Sequence, residues 1–221
     1  MKSAASMLLA LAAATCGDPQ QPAAAAWPQG TVLALGPRAI GAAEVEEAAG
    51  VIALLEPRDS LDQLRRLALT NIVLPRCAAQ AVDPVARREA QALAQSCHDA
   101  LEDGSAVPGG PLPLVLRKGR MLDLGLELWN AAFALEPGQW TPVVETAGCF
   151  HVARLKEKGT AILPGLVELT LEVHDFPYLA PDEAHARIEA QLDRSHLVYV
   201  DEAWRAYVPI VWQHRLQGGS P

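Results

Sequence analysis

The sequence predicts an α+β chain, and three observations carry that reading. Capping signals followed by apolar residues at helical spacing mark helices between residues 41 and 101. Residues 149–155 divide into two sets that face opposite sides of a sheet, and apolar and polar residues alternate one by one over 167–174, the period of a strand with one face buried. Proline and glycine pairs punctuate the boundaries between these runs.

Met1 to Thr15 contains one basic residue, Lys2, and an apolar run from Ala4 to Ala14. That run is too short to span a bilayer and suits the core of a signal peptide. Cys16 follows the small residues Ala13, Ala14 and Thr15, an order similar to a lipoprotein cleavage box. Lipidation of Cys16 and ordinary cleavage nearby both stay open, and each predicts export. Gly17 to Pro28 is rich in Pro, Gln and Ala without periodicity, as in a flexible tether. Roughly 190 residues then remain, enough for one or two small domains with a core.

Thr31 to Leu35 is a short apolar strand and Gly36-Pro37 a turn. Gly41 opens a helix over Ala42 to Ala49, with Glu44, Glu46 and Glu47 near its positive end. Ser60 and Gln63 form a capping box, and Leu61, Leu64, Ala68 and Ile72 follow at helical spacing. A helix is therefore expected from about Leu61 to Val73, which Pro75 kinks or ends. Asp83 caps, and Pro84 opens, a further helix reaching about Leu101.

Asn130 to Leu135 is an apolar-rich helix end that Pro137-Gly138 must stop. Gln139 to Glu145 and Cys149 to Leu155 look like paired strands. In the second, Phe150, Val152 and Arg154 face one side, and His151, Ala153 and Leu155 the other. Val167, Leu169, Leu171 and Val173 alternate with Glu168, Thr170, Glu172 and His174, which adds a strand to the same sheet. Pro181-Asp182-Glu183 starts a helix with Ala184, Ile188 and Leu192 on one face. In the tail, Trp204, Tyr207 and Trp212 with Val208, Ile210 and Val211 suit a core, a docking face being the other use of such a cluster.

Charge and composition exclude several functions. The net charge of −8 becomes −9 if Met1 to Thr15 is removed, because Lys2 leaves and no acid does, so nucleic acid is not an expected partner. Cys77, Cys97 and Cys149 are an odd set without CxxC spacing, which argues against a disulfide framework or a zinc site. Buried free thiols are the expectation, with a Cys77–Cys97 bridge as the alternative. His98, His174, His185, His196 and His214 show no metal-ligand spacing, and no glycine loop stands between strand and helix to hold phosphate. No metal or cofactor is expected.

Ala131-Ala132-Phe133-Ala134-Leu135, Pro137-Gly138, Pro142-Val143, Thr146 and Phe150-His151 occur in an order that resembles the parvulin class of peptidyl-prolyl isomerases. Gly104-Ser105-Ala106, Gly109-Gly110-Pro111-Leu112 and Arg117 to Met121 are similar to that family's glycine-rich turn and the strand and basic loop after it, so the likeness covers roughly 104–158. The stretch TVLALGPRAIGAAEVEEAAG resembles the start of SurA-like and PpiC-like foldases. The resemblance implies a signal peptide over 1–15, a tether over 16–28, a helical chaperone-like segment over 29–103, a shortened parvulin-like domain over 104–176 and C-terminal helices over 177–221 that pack back on the N-terminal segment.

For the site, it implies that His151 is the second histidine of the pocket. It makes Met121 or Leu124 the apolar pocket residue, puts Leu128 where the family has phenylalanine, and leaves Phe133 as helix packing beside them. The first histidine and the central Asp or Cys have no counterpart, and Asp123 lies on the wrong side of the glycine turn. Reading residues 70–75 as the first parvulin strand would put Asn71 at the missing histidine, but nothing breaks the helix before Pro75 and the helical reading is preferred. His151 is either a pocket residue or a hydrogen-bonded structural histidine on a sheet face. Cys149 beside it has no residue to orient a base, so it is not taken as a nucleophile.

The function implied is an exported peptidyl-prolyl isomerase-like foldase, acting on unfolded or proline-containing polypeptide, with a membrane anchor if Cys16 is lipidated. A non-catalytic periplasmic chaperone or adaptor on a degenerate parvulin scaffold is the alternative. A third reading is a lipoprotein that builds an envelope complex through its aromatic tail. Oligomeric state is open.

Overall fold

The computed structural model describes residues 27–107 and 113–216. The expected signal peptide, Cys16, most of the tether and the glycine-rich Gly109 to Leu112 lie outside the described residues.

Strand β1 (Thr31–Leu35) turns at Gly36-Pro37 into β2 (Arg38–Gly41), a strand that the sequence reading does not assign. Ile40 is fully buried there, so one inward side chain secures a strand of four residues. Helix α1 (Ala42–Ala53) continues past Ala49, and Val45, Ala48, Ala49 and Ile52 give it one buried face. Helix α2 (Leu61–Ala68) begins where Ser60 Oγ accepts the Gln63 amide at 3.3 Å. A π-helical turn over Leu69–Val73 leads directly into α3 (Leu74–Val82).

That turn explains how the chain tolerates Pro75. The Leu74 N–H reaches back five residues to the Leu69 carbonyl, and the widened turn absorbs a proline that has no N–H to offer. The chain neither ends nor becomes a strand here, and Asn71 is exposed on a helix. Helix α4 (Pro84–Glu102) starts as expected, with Asp83 Oδ1 accepting the Ala86 amide at 3.0 Å and Pro84 in the first helical position.

Next come β3 (Val115–Gly119), the short α5 (Met121–Leu124), α6 (Leu126–Phe133), β4 (Val144–Thr146) and β5 (Cys149–Lys158). A 3₁₀ turn over Pro164–Leu166 precedes β6 (Leu169–Pro177). Then follow α7 (Ala184–Arg194), β7 (Leu197–Tyr199), a 3₁₀ turn over Glu202–Tyr207 and α8 (Ile210–Leu216). Among the described residues no helix is long and apolar enough to cross a membrane.

The strand expected over Gln139 to Glu145 forms a ladder only at Val144–Thr146, with a single bridge from Trp140 to Arg154. Pro142 has no amide for a ladder, and the Thr141 hydroxyl takes the Ala153 amide at 3.0 Å in place of a backbone acceptor. Helix α6 stops at Phe133, before the proline-glycine pair. Gly138 instead makes the turn that follows, at φ +98°, a conformation open to glycine.

Two antiparallel sheets result. The smaller has the order β2-β1-β7, and the larger β3-β6-β5-β4. β7 pairs with β1 through Leu33↔Tyr199 and Leu35↔Leu197, and α7 packs on α3, so the C-terminal segment does return to the N-terminal one. The β5 alternation holds. Phe150 and Val152 belong to a core shared with α1 to α4, α7 and the tail, whereas Ala153 and Leu155 belong to a second core under α5 and α6. Trp129 is the keystone of the second core, with Nε1 donating to the Val167 carbonyl at 3.0 Å and its ring stacked 4.4 Å from Phe133.

Of the aromatic tail, Trp204 and Val208 are buried, and Tyr207 and Trp212 pack partly against the core. Ile210 and Val211 point outward. Cys77 and Cys97 are buried free thiols.

Candidate functional site

The β4–β5 hairpin builds the site. Ala147-Gly148 connects the two strands, and Gly148 takes φ +103°, which a side chain would oppose. The turn is anchored by Tyr178, whose hydroxyl accepts the Gly148 amide at 3.1 Å and donates to Glu145 Oε1 at 3.2 Å. Glu145 is held in turn by both arms of Arg87 at 2.6 Å each, so the hairpin is fixed to α4. Burial, and then the Glu145 charge, push the Tyr178 hydroxyl well above its ordinary range, which keeps it a neutral donor.

The pleat brings Cys149 and His151 to one face of β5. The register pairs His151 with Asp175 of β6 and with Val144 of β4. His151 is only 7% exposed, and both ring nitrogens are engaged. Nδ1 lies 2.7 Å from Asp175 Oδ1 and Nε2 lies 2.9 Å from Thr146 Oγ1. A carboxylate can only accept, so Nδ1 carries the proton and donates it to Asp175, while Nε2 accepts from the Thr146 hydroxyl. Arg117, reaching along the sheet from β3, donates to the second oxygen, Asp175 Oδ2.

Burial acts to raise the Asp175 pKa, but the hydrogen bond from His151 and the charge of Arg117 outweigh it and hold the carboxyl below its usual range. The Cys149 thiol behaves oppositely. Burial and then the Asp175 charge push it up to about 12, so at neutral pH it is a thiol and not a nucleophilic thiolate. Its Sγ lies 3.9 Å from His151 Nδ1, but that nitrogen already serves Asp175.

A groove of about 290 Å³ opens beside these residues. Its polar rim is Arg117, Cys149, His151 and Asp175, and its apolar wall is Pro177, Leu179, Pro181 and Ala184. A larger cleft of about 470 Å³ separates α1, α3 and α4 from α6 and β4, and its lining is mainly charged, with Glu44 paired to Arg38 and Arg76, Glu145 paired to Arg87, and Glu47 and Glu127 beside them. The groove at His151 is therefore the place where polar groups converge on an open apolar wall.

Of the residues expected at the site, His151 alone lines this groove. Met121 and Leu128 are fully buried in the second core and Leu124 is 8% exposed there, while Phe133 stacks on Trp129. The physical cause is local. The Arg120 amide donates to Asp123 Oδ2 at 2.9 Å, which starts α5 as a tight turn and swings Met121 inward under β5 and β6. Asp123 is thus a helix cap. The residues that sequence reasoning missed are Asp175, Thr146 and Arg117. Thr146 and Arg117 stood in the parvulin-like motifs without a role, and the alternation over 167–174 extended by one residue reaches Asp175 on the face of Val173.

The site thus joins an antiparallel sheet backed by helices to a buried histidine, held between a threonine and a carboxylate at the edge of an apolar groove. Residues 68–164 match the family described as the PPIC-type PPIASE domain. The matched stretch includes α3, α4, Arg117, Thr146, Cys149 and His151 and stops before Asp175. Comparisons with curated proteins and with solved structures returned no match.

Proposed function

We propose that this protein is an exported, SurA-like peptidyl-prolyl isomerase-like foldase that takes proline-containing segments of unfolded polypeptide into the groove beside His151. The observation that carries the reading is the junction of the Thr146–His151–Asp175 hydrogen-bond chain, whose Thr146 and His151 lie in the stretch that matches the PPIC-type family, with the apolar wall of Pro177, Leu179, Pro181 and Ala184. Turning an Xaa-Pro bond means crossing a barrier of about 18–20 kcal/mol set by amide resonance, and each tenfold gain in rate needs about 1.4 kcal/mol. No covalent step is required. An apolar wall around the prolyl ring disfavours the dipolar planar amide, and a polar edge held rigid by hydrogen bonds favours the twisted one. Export and a role in the bacterial envelope are supported by the apolar segment Ala4 to Ala14 and by Cys16, which in this reading anchors the domain to a membrane.

The test is a protease-coupled Xaa-Pro isomerisation assay on the purified protein, with circular dichroism to check the fold. Acceleration above background that falls at least tenfold in His151→Ala is expected. No acceleration by folded wild-type protein would sink catalysis.

One observation favours a second reading, a chaperone or adaptor that binds unfolded chains without isomerising them on a degenerate parvulin scaffold. Both nitrogens of His151 are already bound within the protein, and Met121, Leu124 and Leu128 are committed to the core. This reading expects an equimolar amount of the protein to delay aggregation of an unfolded client, equally in wild type and in His151→Ala.

A further inference from the structure

We propose that Cys149, His151 and Asp175 form a zinc site. Their donor atoms, Sγ, Nδ1 and a carboxylate oxygen, all lie within 4.8 Å of one another. Cys149 and His151 stand two apart on one face of β5, and Asp175 is the register partner of His151 on β6, so a strand pair holds all three.

The distances are close to those that a tetrahedral ion requires. Zinc–sulfur and zinc–nitrogen bonds of about 2.3 and 2.0–2.1 Å place sulfur and nitrogen about 3.6 Å apart, and nitrogen and carboxylate oxygen about 3.3 Å apart. Here Sγ to Nδ1 is 3.9 Å and Nδ1 to Oδ1 is 2.7 Å. The ion replaces the proton between His151 and Asp175, and the Asp175 carboxylate retreats by about half an ångström toward the side where it is partly exposed.

The surroundings fit a metal-bound histidine. With Nδ1 on the ion, the ring proton moves to Nε2, which then donates to Thr146 Oγ1, and the Thr146 hydroxyl turns to donate to the Cys149 carbonyl 3.3 Å away. A metal-binding histidine is usually oriented by such a partner on its other nitrogen. Arg117 holds Oδ2 and leaves Oδ1 as the ligand. The groove supplies the entry path and a fourth position for water. The step balances as one zinc ion in and one proton out. Cys149 loses its thiol proton to solvent, His151 stays neutral with its proton on Nε2, and thiolate and carboxylate together neutralise the dication. The site differs from what the sequence spacing promises, because two of its ligands lie 24 residues apart and meet only across the β5–β6 ladder.

Cobalt(II) tests the assignment in the reduced full-length protein, since a bound thiolate gives a charge-transfer band in the near ultraviolet and a tetrahedral ion gives strong visible bands. Both are expected in wild type and in the double variant Cys77→Ala/Cys97→Ala, to be bleached by equimolar zinc and lost in Cys149→Ser. Thr146→Val keeps the bands with affinity reduced about 10- to 100-fold. If Cys149→Ser does not fold, protection decides the matter in wild type, where zinc slows alkylation of Cys149 at least tenfold by peptide mass spectrometry. Absence of the bands in folded wild type, their persistence in folded Cys149→Ser, or alkylation unaffected by zinc overturns the site. These readouts do not depend on isomerase activity.

Discussion

Asp175 carries more of the site than its exposure suggests. It accepts from His151 on one oxygen and from Arg117 on the other, and so fixes both the ring tautomer and the ring orientation. Its depressed pKa makes this a pH-dependent contribution. A carboxylate held below its unfolded value of about 3.9 adds stability that is complete above that pH and is lost as pH falls through the folded value. Asp175→Asn is therefore expected to be less stable than wild type at neutral pH, with the gap closing below about pH 4. Urea unfolding over a pH series reads the difference, and a gap that does not change with pH would mean that Asp175 is not held as a paired carboxylate. His151 faced Phe150 correctly across the pleat from the sequence alone. Its partners were not legible, because Thr146, Arg117 and Asp175 come from three other strands.

Among the elements, helix starts were the most legible, since they depend on residues within four positions of each other. Asp83-Pro84 behaves as local chemistry dictates, and Asp83→Ala is expected to cost about 1 kcal/mol through loss of the bond to the Ala86 amide. The midpoint of thermal unfolding checks this, with Asp83→Asn retaining most of the stability because it keeps the cap. The π turn before Pro75 was less legible. The sequence shows a proline that kinks or ends a helix, but whether the chain continues depends on neighbours. Leu69, Ile72, Val73 and Leu74 are all buried, so packing holds both sides of the turn in one helical path. β2 and β7 are short strands whose partner, β1, supplies the hydrogen bonds that their own lengths do not signal.

For the whole molecule, the decisive contacts join distant parts of the chain. The 3₁₀ turn between β5 and β6 is docked on the end of α1, with the Gly165 amide donating to the Leu54 carbonyl at 3.1 Å. A Cβ at Gly165 would stand 2.5 Å from Leu55 Cδ2 and 3.0 Å from the Leu54 carbonyl oxygen. The Leu55 side chain can swing aside, whereas the Leu54 backbone oxygen cannot move without shifting the end of α1. Gly165→Ala is expected to destabilise by about 1–3 kcal/mol, seen as a lower urea midpoint with an unchanged slope. An unchanged midpoint would show that the turn is not packed on α1. In the same way, β7 completes the N-terminal sheet and α7 covers α3, so the N-terminal helices and the C-terminal segment share one core.

By itself the sequence determined what short-range chemistry controls, namely the capped helices, the proline-started α4, the alternating faces of β5 and β6 and the parvulin-like motif order around His151. Tertiary structure decided the rest. It sent Met121, Leu124 and Leu128 into the core, because an uncovered sheet face needs apolar side chains more than a groove does. It broke the expected strand at Pro142, whose missing amide cannot be made up within the strand. It also supplied His151 with Asp175, a partner 24 residues away that only the antiparallel register of β5 and β6 brings within hydrogen-bonding distance.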